Sequence, residues 1–277
     1  MQLRRLTLDD VVEGARLTAA AFGGEPREAR LRRYLQLDPE GWFGLEDAGE
    51  LVALGGAVRF GALAWLGLMV VDRARQRQGL GRTVASAAID WARAQGCSTI
   101  HLIATPAGAP LYRQLGFVPD GESHELSGVP RPLPATSGPA SVRSWRSEDT
   151  EEVASFDAPV FGASRSRLLA TYAREFSGSA WVARNERGRI CGFILVQEDS
   201  LGPWCAVDDL VAGQLLDVAL RGITRTFRVG ALDELAAGLL VRRGFSPGRP
   251  LPRMRLGPPV PRAAHPLLLA HASYAVG

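Results

Sequence analysis

The chain contains no lysine: its 32 basic residues are all arginine, and Asn185 is its single asparagine. This bias is typical of a GC-rich genome and does not point to a function. The 15 arginines of residues 1–139 are balanced by 15 acidic residues, and the 17 arginines of residues 140–277 face 14. No basic block is dense enough to follow a phosphate backbone, so we expect no nucleic-acid partner.

Cysteines and long apolar runs are also scarce. The three cysteines are too few and too scattered for a disulfide framework or a Cys-x-x-Cys metal site, and no His cluster has metal-ligand spacing, so we expect no metal. The longest apolar runs, such as residues 61–71 and 265–272, fall short of the roughly 20 residues of a membrane span. The first ten residues turn acidic where a signal peptide turns apolar. The sequence therefore predicts a cytoplasmic protein with reduced thiols and no membrane partner.

The length of 277 residues, with 46% hydrophobic and 22% charged residues, predicts two folded domains. A stretch over 128–141 carries four prolines and two glycines, which should keep it extended between packed units. We therefore predict an N-terminal domain over 1–127, a linker over 128–140 and a C-terminal domain over 141–277.

The two halves resemble each other at both ends. LRRLTLDD at Leu3–Asp10 aligns without gaps with VRSWRSED at Val142–Asp149, and each predicts a short strand followed by a helix start. LYRQLGF at Leu111–Phe117 aligns with LLVRRGF at Leu239–Phe245, and each predicts a helix ended by a glycine. We infer an internal duplication.

Hydrophobic periodicity in the first half predicts an α/β order of elements. Strands are expected at 2–8, 42–47, 50–59, 62–71 and 99–104, with helices at 9–21, 26–36, 80–95 and 107–115 and a final strand. Strand 62–71, helix 80–95 and strand 99–104 form a βαβ unit at the centre of the predicted sheet.

A glycine-bearing run, Arg75–Thr83, joins the central strand to its helix. Gly79 and Gly81 leave backbone N–H groups unobstructed on the first turn, where the helix dipole adds about half a positive charge. This pattern favours a pyrophosphate cradle, with three arginines as countercharge: Arg75, Arg77 and Arg82. An ordinary glycine-bearing turn is the alternative interpretation of the run alone.

Two motifs at family spacing resemble the GNAT superfamily of N-acetyltransferases. Gln76–Gly81 fits the pattern Q/R-x-x-G-x-G/A, and Ala104–Phe117 is similar to the helix that bears L-Y followed by L-G-F. Phe161–Arg165 and the Gly202-Pro203 pair further resemble a bacterial subgroup in which a divergent second GNAT domain follows a complete one. The resemblance implies an α/β fold of two tandem GNAT-like domains, each a central mixed β-sheet flanked by helices.

The resemblance also implies acetyl-CoA as the acyl donor. The pantetheine arm would pair with the strand edge at Leu68–Val71, where the long strand splays from its neighbour, and the pyrophosphate would lie on the amides of the glycine run. The implied cofactor-binding residues are Met69, Val70, Val71, Gln76, Arg77, Gln78, Gly79, Leu80, Gly81, Arg82 and Thr83.

Tyr112 is the catalytic residue that the resemblance implies, as the proton donor to the departing thiolate; packing of a helix tyrosine is the alternative. Two departures from the family pattern concern the cofactor and the base. Thr105 stands where the family commonly has an asparagine, and strand 62–71 lacks the usual glutamate. His101 and Glu25 are candidate bases, and deprotonation by bulk water is equally open.

We therefore expect an acetyl-CoA-dependent N-acetyltransferase in which a primary amine attacks the thioester directly. The acceptor, a small-molecule or peptide amine, is left open, and so is the oligomeric state. A non-catalytic acyl-CoA-binding sensor or regulatory protein is the alternative from another functional class, and a structural protein on an inactive fold is a third.

The second half is expected to lack a reaction centre. Leu240 aligns with Tyr112, and the passage Leu201–Ala206, followed by Asp208 and Asp209, takes the place of the glycine run. This half would wall the acceptor site or stabilise the first domain, and two of its polar residues are candidate acceptor contacts: Asp157 and Arg165. The arginine-rich stretch 242–262 is expected to be a solvated surface, and contact with an acidic partner or substrate is the alternative.

Overall fold

The computed structural model describes residues 1–131, 133–134 and 136–277. The helices are α1 (Val11–Phe22), α2 (Glu28–Leu37), α3 (Leu80–Ala94), α4 (Ala109–Gln114), α5 (Thr150–Phe161), α6 (Ser166–Glu175), α7 (Asp209–Ala219) and α8 (Glu234–Arg242). The strands are β1 (Gln2–Arg5), β2 (Trp42–Asp47), β3 (Glu50–Phe60), β4 (Leu63–Val71), β5 (Thr99–Ile103), β6 (Val118–Gly128), β7 (Ser141–Ser144), β8 (Ala180–Arg184), β9 (Ile190–Val196), β10 (Ser200–Ala206), β11 (Phe227–Ala231), β12 (Ser246–Leu256) and β13 (Leu267–Ala270). The predicted order of the first half is confirmed, with bounds shifted by a few residues.

The described residues form two compact units that do not follow chain order. Unit 1 comprises Met1–Asp120, Arg253–Pro259 and Tyr274–Gly277, and unit 2 comprises Gly121–Pro252 and Val260–Ser273. Two segments from the second half of the sequence, Arg253–Pro259 and Tyr274–Gly277, therefore belong to the unit that is built mainly from the first half.

Unit 1 is a mixed sheet in the order β1-β2-β3-β4-β5, followed by the end of β12. Its neighbours are antiparallel except β4 and β5, which run parallel because α3 crosses over between them. On β12, Arg253 pairs with Ile103 of β5. One stripe of α3 is buried against the sheet, including Val84, Ala88 and Ile89.

Unit 2 repeats this plan with one change. Its sheet runs β7-β8-β9-β10-β13-β11-β6 and then the start of β12, so that β13 lies between β10 and β11. The core of unit 2 packs α7 and α8 against these strands around large buried side chains such as Trp204, Phe227 and Leu240.

An equivalent ion pair follows β1 in unit 1 and β7 in unit 2, which supports the internal duplication. Arg4 donates to Asp10 at 2.9 and 2.6 Å, and Arg143 donates to Asp149 at 2.7 and 2.7 Å. Burial alone would raise the pKa of the Asp149 carboxyl, but hydrogen bonds from Arg143, Arg184 and the Arg146 backbone outweigh it and lower the pKa. The Asp10 pKa is lowered in the same way, against burial, by Arg4 and Thr7.

The aligned helix ends also share one geometry. Gly116 and Gly244 have φ of 88° and 91°, the left-handed conformation that glycine adopts at helix ends. Phe117 N donates to Tyr112 O at 3.0 Å, and Phe245 N donates to Leu240 O at 3.2 Å. Leu240 therefore occupies in unit 2 the position of Tyr112 in unit 1.

The described part of the predicted linker packs within unit 2; Pro132 and Ala135 lie outside the described residues. Thr136 N donates to the Asp217 carboxylate at 2.8 Å, and Arg131 N donates to Arg243 O at 2.8 Å. Arg243 is itself buried and ion-paired with Asp217 at 2.6 Å, so the expectation of a solvated surface over 242–262 is wrong there. Throughout the described residues, no helix has the length and apolarity to cross a membrane.

Candidate active site

A fork opens between the two parallel strands of unit 1. β4 pairs with β5 over Leu63–Trp65, with Trp65 opposite His101. β4 then continues to Val71, and no strand of the described chain pairs with this part on the β5 side. We call the free edge Leu66–Val71 and the facing end of β5 the fork of unit 1. It contains the predicted cofactor residues of the strand: Met69, Val70 and Val71.

A β-bulge distorts β4 inside the fork. Gly56 pairs with Gly67 and Leu54 with Val70, so Leu68 and Met69 together face Gly55. Leu68 has a φ of 56°, which is strained for a leucine. Strain of this kind is concentrated at functional sites. The sequence carries no signal for this bulge.

The glycine run places unused amides beside the fork. Gly79 is the N-cap of α3 with a φ of 84°, and the first described helical bond of α3 runs from Thr83 N to Gly79 O at 3.1 Å. The N–H groups of Leu80, Gly81 and Arg82 thus have no backbone acceptor among the described residues. An exposed helix start with free amides and a positive dipole is suited to an anion.

Gly81 marks the point where three predicted segments meet. A Cβ on Gly81 would lie 3.5 Å from Val71 of β4 and 3.5 Å from Leu111 of α4, which are ordinary contacts. Because the φ of Gly81 is not positive, neither the backbone nor the packing requires glycine here. The missing side chain therefore keeps space open at the helix start.

Two of the three arginines of the run are engaged within unit 1. Arg75 pairs with Asp47 at 2.6 Å, and Arg82 donates to Gln114 of α4. Arg77, whose φ is 62°, is exposed beside the free amides. Gln76 Nε2 lies 3.4 Å from Val71 O, which ties the run to the end of β4.

Tyr112 lies on α4 in the core cluster that includes Leu66 of the fork. Its ring packs edge-to-face on Phe117 with centroids 5.7 Å apart, and 7% of the residue is exposed. Burial raises the pKa of the Tyr112 phenol, so the phenol keeps its proton at neutral pH.

The two candidate bases differ in their surroundings. His101 is buried beside Trp65, with ring centroids 5.8 Å apart, and its Nε2 lies 3.9 Å from Asp120 Oδ2. Glu25 is exposed in the connection between α1 and α2. Thr105, which replaces the family's asparagine, accepts a bond from Gly108 N at 3.1 Å and closes the turn before α4.

Arginines from the end of β12 surround Asp120. Arg253 Nε donates to Asp120 O at 2.8 Å, and Arg255 Nε donates to Asp120 Oδ1 at 3.1 Å. These residues could not be found from the sequence, because nothing local connects β12 to unit 1.

The equivalent fork in unit 2 is filled. β10 pairs with β11 at Ser200 and Leu201, after which β13 takes over as the neighbour of β10, with Ala206 opposite Leu267. Ala270 of β13 also pairs with Ala231 of β11. A strand of the chain itself thus occupies the position that is open in unit 1.

The helix start of unit 2 is closed as well. The prediction that Leu201–Ala206 connects a strand to a helix is wrong, because these residues lie within β10. Val207 and Asp208 form the connection from β10 to α7. A register shift between Leu201 and Trp204 accommodates Pro203, so the missing N–H does not prevent a strand. The Asp208 carboxylate accepts a bond from Val211 N at 2.8 Å and caps the helix.

Asp157 and Arg165, the expected acceptor contacts, bind each other. Arg165 Nε and Nη2 donate to the two carboxylate oxygens of Asp157 at 2.7 and 2.8 Å, and both side chains are buried. Arg165 also stacks on the Phe161 ring at 4.2 Å. The expectation that they face an acceptor is wrong. Among the described residues, no group of three or more His, Cys, Asp or Glu could hold a metal ion.

Both halves of the chain are similar to known acetyltransferase sequences. Residues 11–117 match the acetyltransferase (GNAT) family, and residues 153–268 match an acetyltransferase (GNAT) domain. The uncharacterized N-acetyltransferase YitH of Bacillus subtilis (strain 168) is 32% identical over 211 residues, or 74% of each chain.

Two solved structures share the fold over nearly the whole chain. A putative acetyltransferase from Pyrococcus horikoshii has a TM-score of 0.87 at 26% identity, covering 100% of this chain and 95% of the other. A tandem GNAT protein from the clavulanic acid biosynthesis pathway has a TM-score of 0.62 at 15% identity, covering 93% and 99%. The chain therefore belongs to the GNAT family of acetyltransferases and carries two GNAT domains in tandem.

Proposed function

We propose that unit 1 transfers an acetyl group from acetyl-CoA to a primary amine. GNAT enzymes generally use acetyl-CoA. The observation that carries the proposal is the meeting point at Gly81, where the free edge of β4, the unused amides of α3 and the helix of Tyr112 adjoin. A long, amide-containing acyl donor with a pyrophosphate fits this set of open groups.

Each part of the donor has a matching protein group. The N–H groups of Leu80–Arg82 and the dipole of α3 would hold the pyrophosphate, within the wider run Gln76–Thr83. The free edge of β4 at Met69–Val71 would pair with the pantetheine amides as a strand would.

The donor supplies its acetyl group as a thioester. The amine nitrogen bonds to the carbonyl carbon, the carbon–sulfur bond breaks, and the sulfur receives a proton. Tyr112, whose buried phenol is protonated at neutral pH, would give that proton, and the proton that the nitrogen loses as the amide forms would return to the phenolate. The amine must lose a proton before it attacks; His101 with Asp120, Glu25 and water are the candidate routes.

Direct attack is favoured over an acetylated cysteine. Cys97 is buried, and burial raises the pKa of its thiol, which leaves little thiolate to act as a nucleophile. Cys191 and Cys205 are buried in unit 2, where burial raises their pKa values as well.

We propose that the domain over 1–127 provides most of the reacting unit and that the domain over 141–277 has no reaction centre. Three features support this: Leu240 replaces Tyr112, Asp208 caps the helix start, and β13 fills the fork.

Calorimetry and a thiol-release assay with the full chain test the proposal. We expect one acetyl-CoA per chain, with thiol release that depends on an added amine from a panel of amino acids, polyamines, aminoglycosides and peptides. Binding without turnover across this panel would favour the non-catalytic sensor. A stoichiometry of two would contradict the assignment of a single cofactor site.

A further inference from the structure

The segment Tyr274–Gly277, which we call the tail segment, belongs to unit 1 although it follows β13 of unit 2 in sequence. Ala275 and Val276 are 7% and 0% exposed. The tail segment is therefore a packed part of the unit that contains the fork.

Two residues of β4 hold the tail segment. Trp65 Nε1 donates to Tyr274 O at 3.1 Å. A Cβ on Gly67 would lie 2.3 Å from both the Cα and the O of Ala275, so no larger residue fits beneath the tail backbone. Because Gly67 has no positive φ, the close approach of Ala275 is what requires glycine there.

The tail segment lies on the face of the sheet opposite to α3, the helix whose start would hold the pyrophosphate of the donor. Ala64 and Leu66 belong to the core cluster with Ala88 and Ile89 of α3, so α3 closes that face of β4. Side chains alternate along a strand, which places Trp65 and the tail segment on the opposite face.

The position along β4 is equally specific. Trp65 is the last β4 residue paired with β5, and Gly67 lies two residues further, where the fork has opened. The backbone of the tail segment therefore covers the closed end of the fork, next to the bulge at Leu68.

We infer that the tail segment walls the acceptor side of the fork and limits the acceptor to a small-molecule amine, excluding a polypeptide. A peptide brings further main chain and side chains beside its reacting amine, and over Trp65 and Gly67 the tail backbone already takes that room. This inference rests on the proposed acetyl transfer in unit 1.

Two coenzyme A conjugates test the inference without requiring turnover. In one, an acetyl bridge joins the sulfur to a small alkylamine; in the other, the same bridge joins it to the N-terminal amine of a pentapeptide. For the full chain we expect the peptide conjugate to bind at least tenfold more weakly by calorimetry.

Two variants should remove this discrimination: deletion of residues 274–277, and Gly67→Ala, which displaces the tail backbone. In either variant the gap between the conjugates should fall below about threefold. The deletion, which removes no residue of the fork, should leave the acetyl-CoA Kd within twofold of wild type. Gly178→Ala is the matched control, because Gly178 of unit 2 has open space around it. If the deletion fails to fold, Gly67→Ala alone decides.

Equal affinity of the two conjugates for the full chain would overturn the inference, and so would a gap that both variants leave unchanged. Failure of the proposed function is distinguishable. If the donor site is absent, the full chain binds neither conjugate nor acetyl-CoA; if only the transfer is absent, acetyl-CoA binds without thiol release on the amine panel.

Discussion

Units 1 and 2 share an arrangement of strands and helices and differ in which backbone hydrogen-bonding groups that arrangement leaves unpaired. Both begin with a buried aspartate held by an arginine six residues earlier, and both end α4 or α8 with a left-handed glycine. Unit 1 leaves a strand edge and a helix start without backbone partners among the described residues. Unit 2 satisfies the same groups with β13 and with the Asp208 carboxylate.

The candidate site of unit 1 consists largely of backbone groups that the described part of the chain does not pair. An unpaired strand edge and uncapped amides are costly when nothing binds them, so a duplicated copy gains stability by filling them. Unit 2 retains the Arg143–Asp149 ion pair, whereas β13 fills its fork and Asp208 caps its helix start. Experiments that fill the openings of unit 1, or reopen those of unit 2, test this view.

The largest effect is expected for Tyr112→Phe, which gives unit 1 the proton-donor defect of unit 2. If the phenol protonates the leaving sulfur, kcat should fall by roughly 10²–10⁴ with acetyl-CoA affinity unchanged. Thiol-release kinetics and calorimetry measure the two quantities. Leu240→Met at the equivalent position of unit 2 is the control and should leave kcat within twofold. A Tyr112→Phe kcat within about threefold of wild type would reduce Tyr112 to a packing role.

Gly79→Asp carries the acidic cap of unit 2 into unit 1. Like charges a few ångströms apart near a protein surface repel by up to about 4 kcal/mol, so acetyl-CoA affinity should fall about a hundredfold. Gly79→Asn is the matched control, since asparagine has the same shape without the charge and tolerates a positive φ. Equal losses in both variants would assign the effect to shape and not to electrostatics.

Asp149→Asn tests the ion pair that both units share. Removing this buried carboxylate leaves Arg143 without its acidic partner and Arg184 with Glu152 alone, which should lower the free energy of unfolding by about 3 kcal/mol at pH 7. The native pKa of Asp149 lies below the unfolded value of about 3.9, so its contribution is complete above that pH and is lost as pH falls through the native pKa. Urea unfolding at pH 7 and below pH 3 should show the gap to wild type shrinking in acid; a constant gap would refute the linkage.

The smallest effect is expected for Asp208→Ala, which uncaps α7. Loss of the bond to Val211 N should destabilise the protein by about 1 kcal/mol. Calorimetry should still find one acetyl-CoA per chain, because β13 continues to fill the fork of unit 2. A second bound acetyl-CoA would show that the cap alone had closed the site.

Features with local signals were predictable from the sequence. The central βαβ order, the left-handed glycine before Phe117 and the alignment of Leu240 with Tyr112 depend on residues close in the chain, and the structure reproduces them. The bulge at Leu68 could not be predicted, because its cause lies in the mismatch of two strands and not in the residue itself.

Long-range pairings were equally inaccessible. β12 contains three prolines, Pro247, Pro250 and Pro252, which argue against a strand, yet the four residues after Pro252 pair with β5. β13 is a short apolar run whose position between two distant strands has no local signature. β13 fills the fork of unit 2, and no described strand fills the fork of unit 1. Because both facts depend on long-range pairing, the difference between the two forks could be seen only in the structure.

The pairing of β12 with β5 also constrains how the protein is made. Ile103 and Arg253 are partners, yet they are 150 residues apart in the chain. At about 5–20 residues per second, translation needs roughly eight to thirty seconds to deliver the partner of β5. During that interval the nascent unit 1 presents a bare strand edge, which is a template for aggregation. A chain interrupted before residue 253 would keep that edge for good, so an incomplete enzyme is a target for chaperones and proteases and does not persist as a half-active fragment.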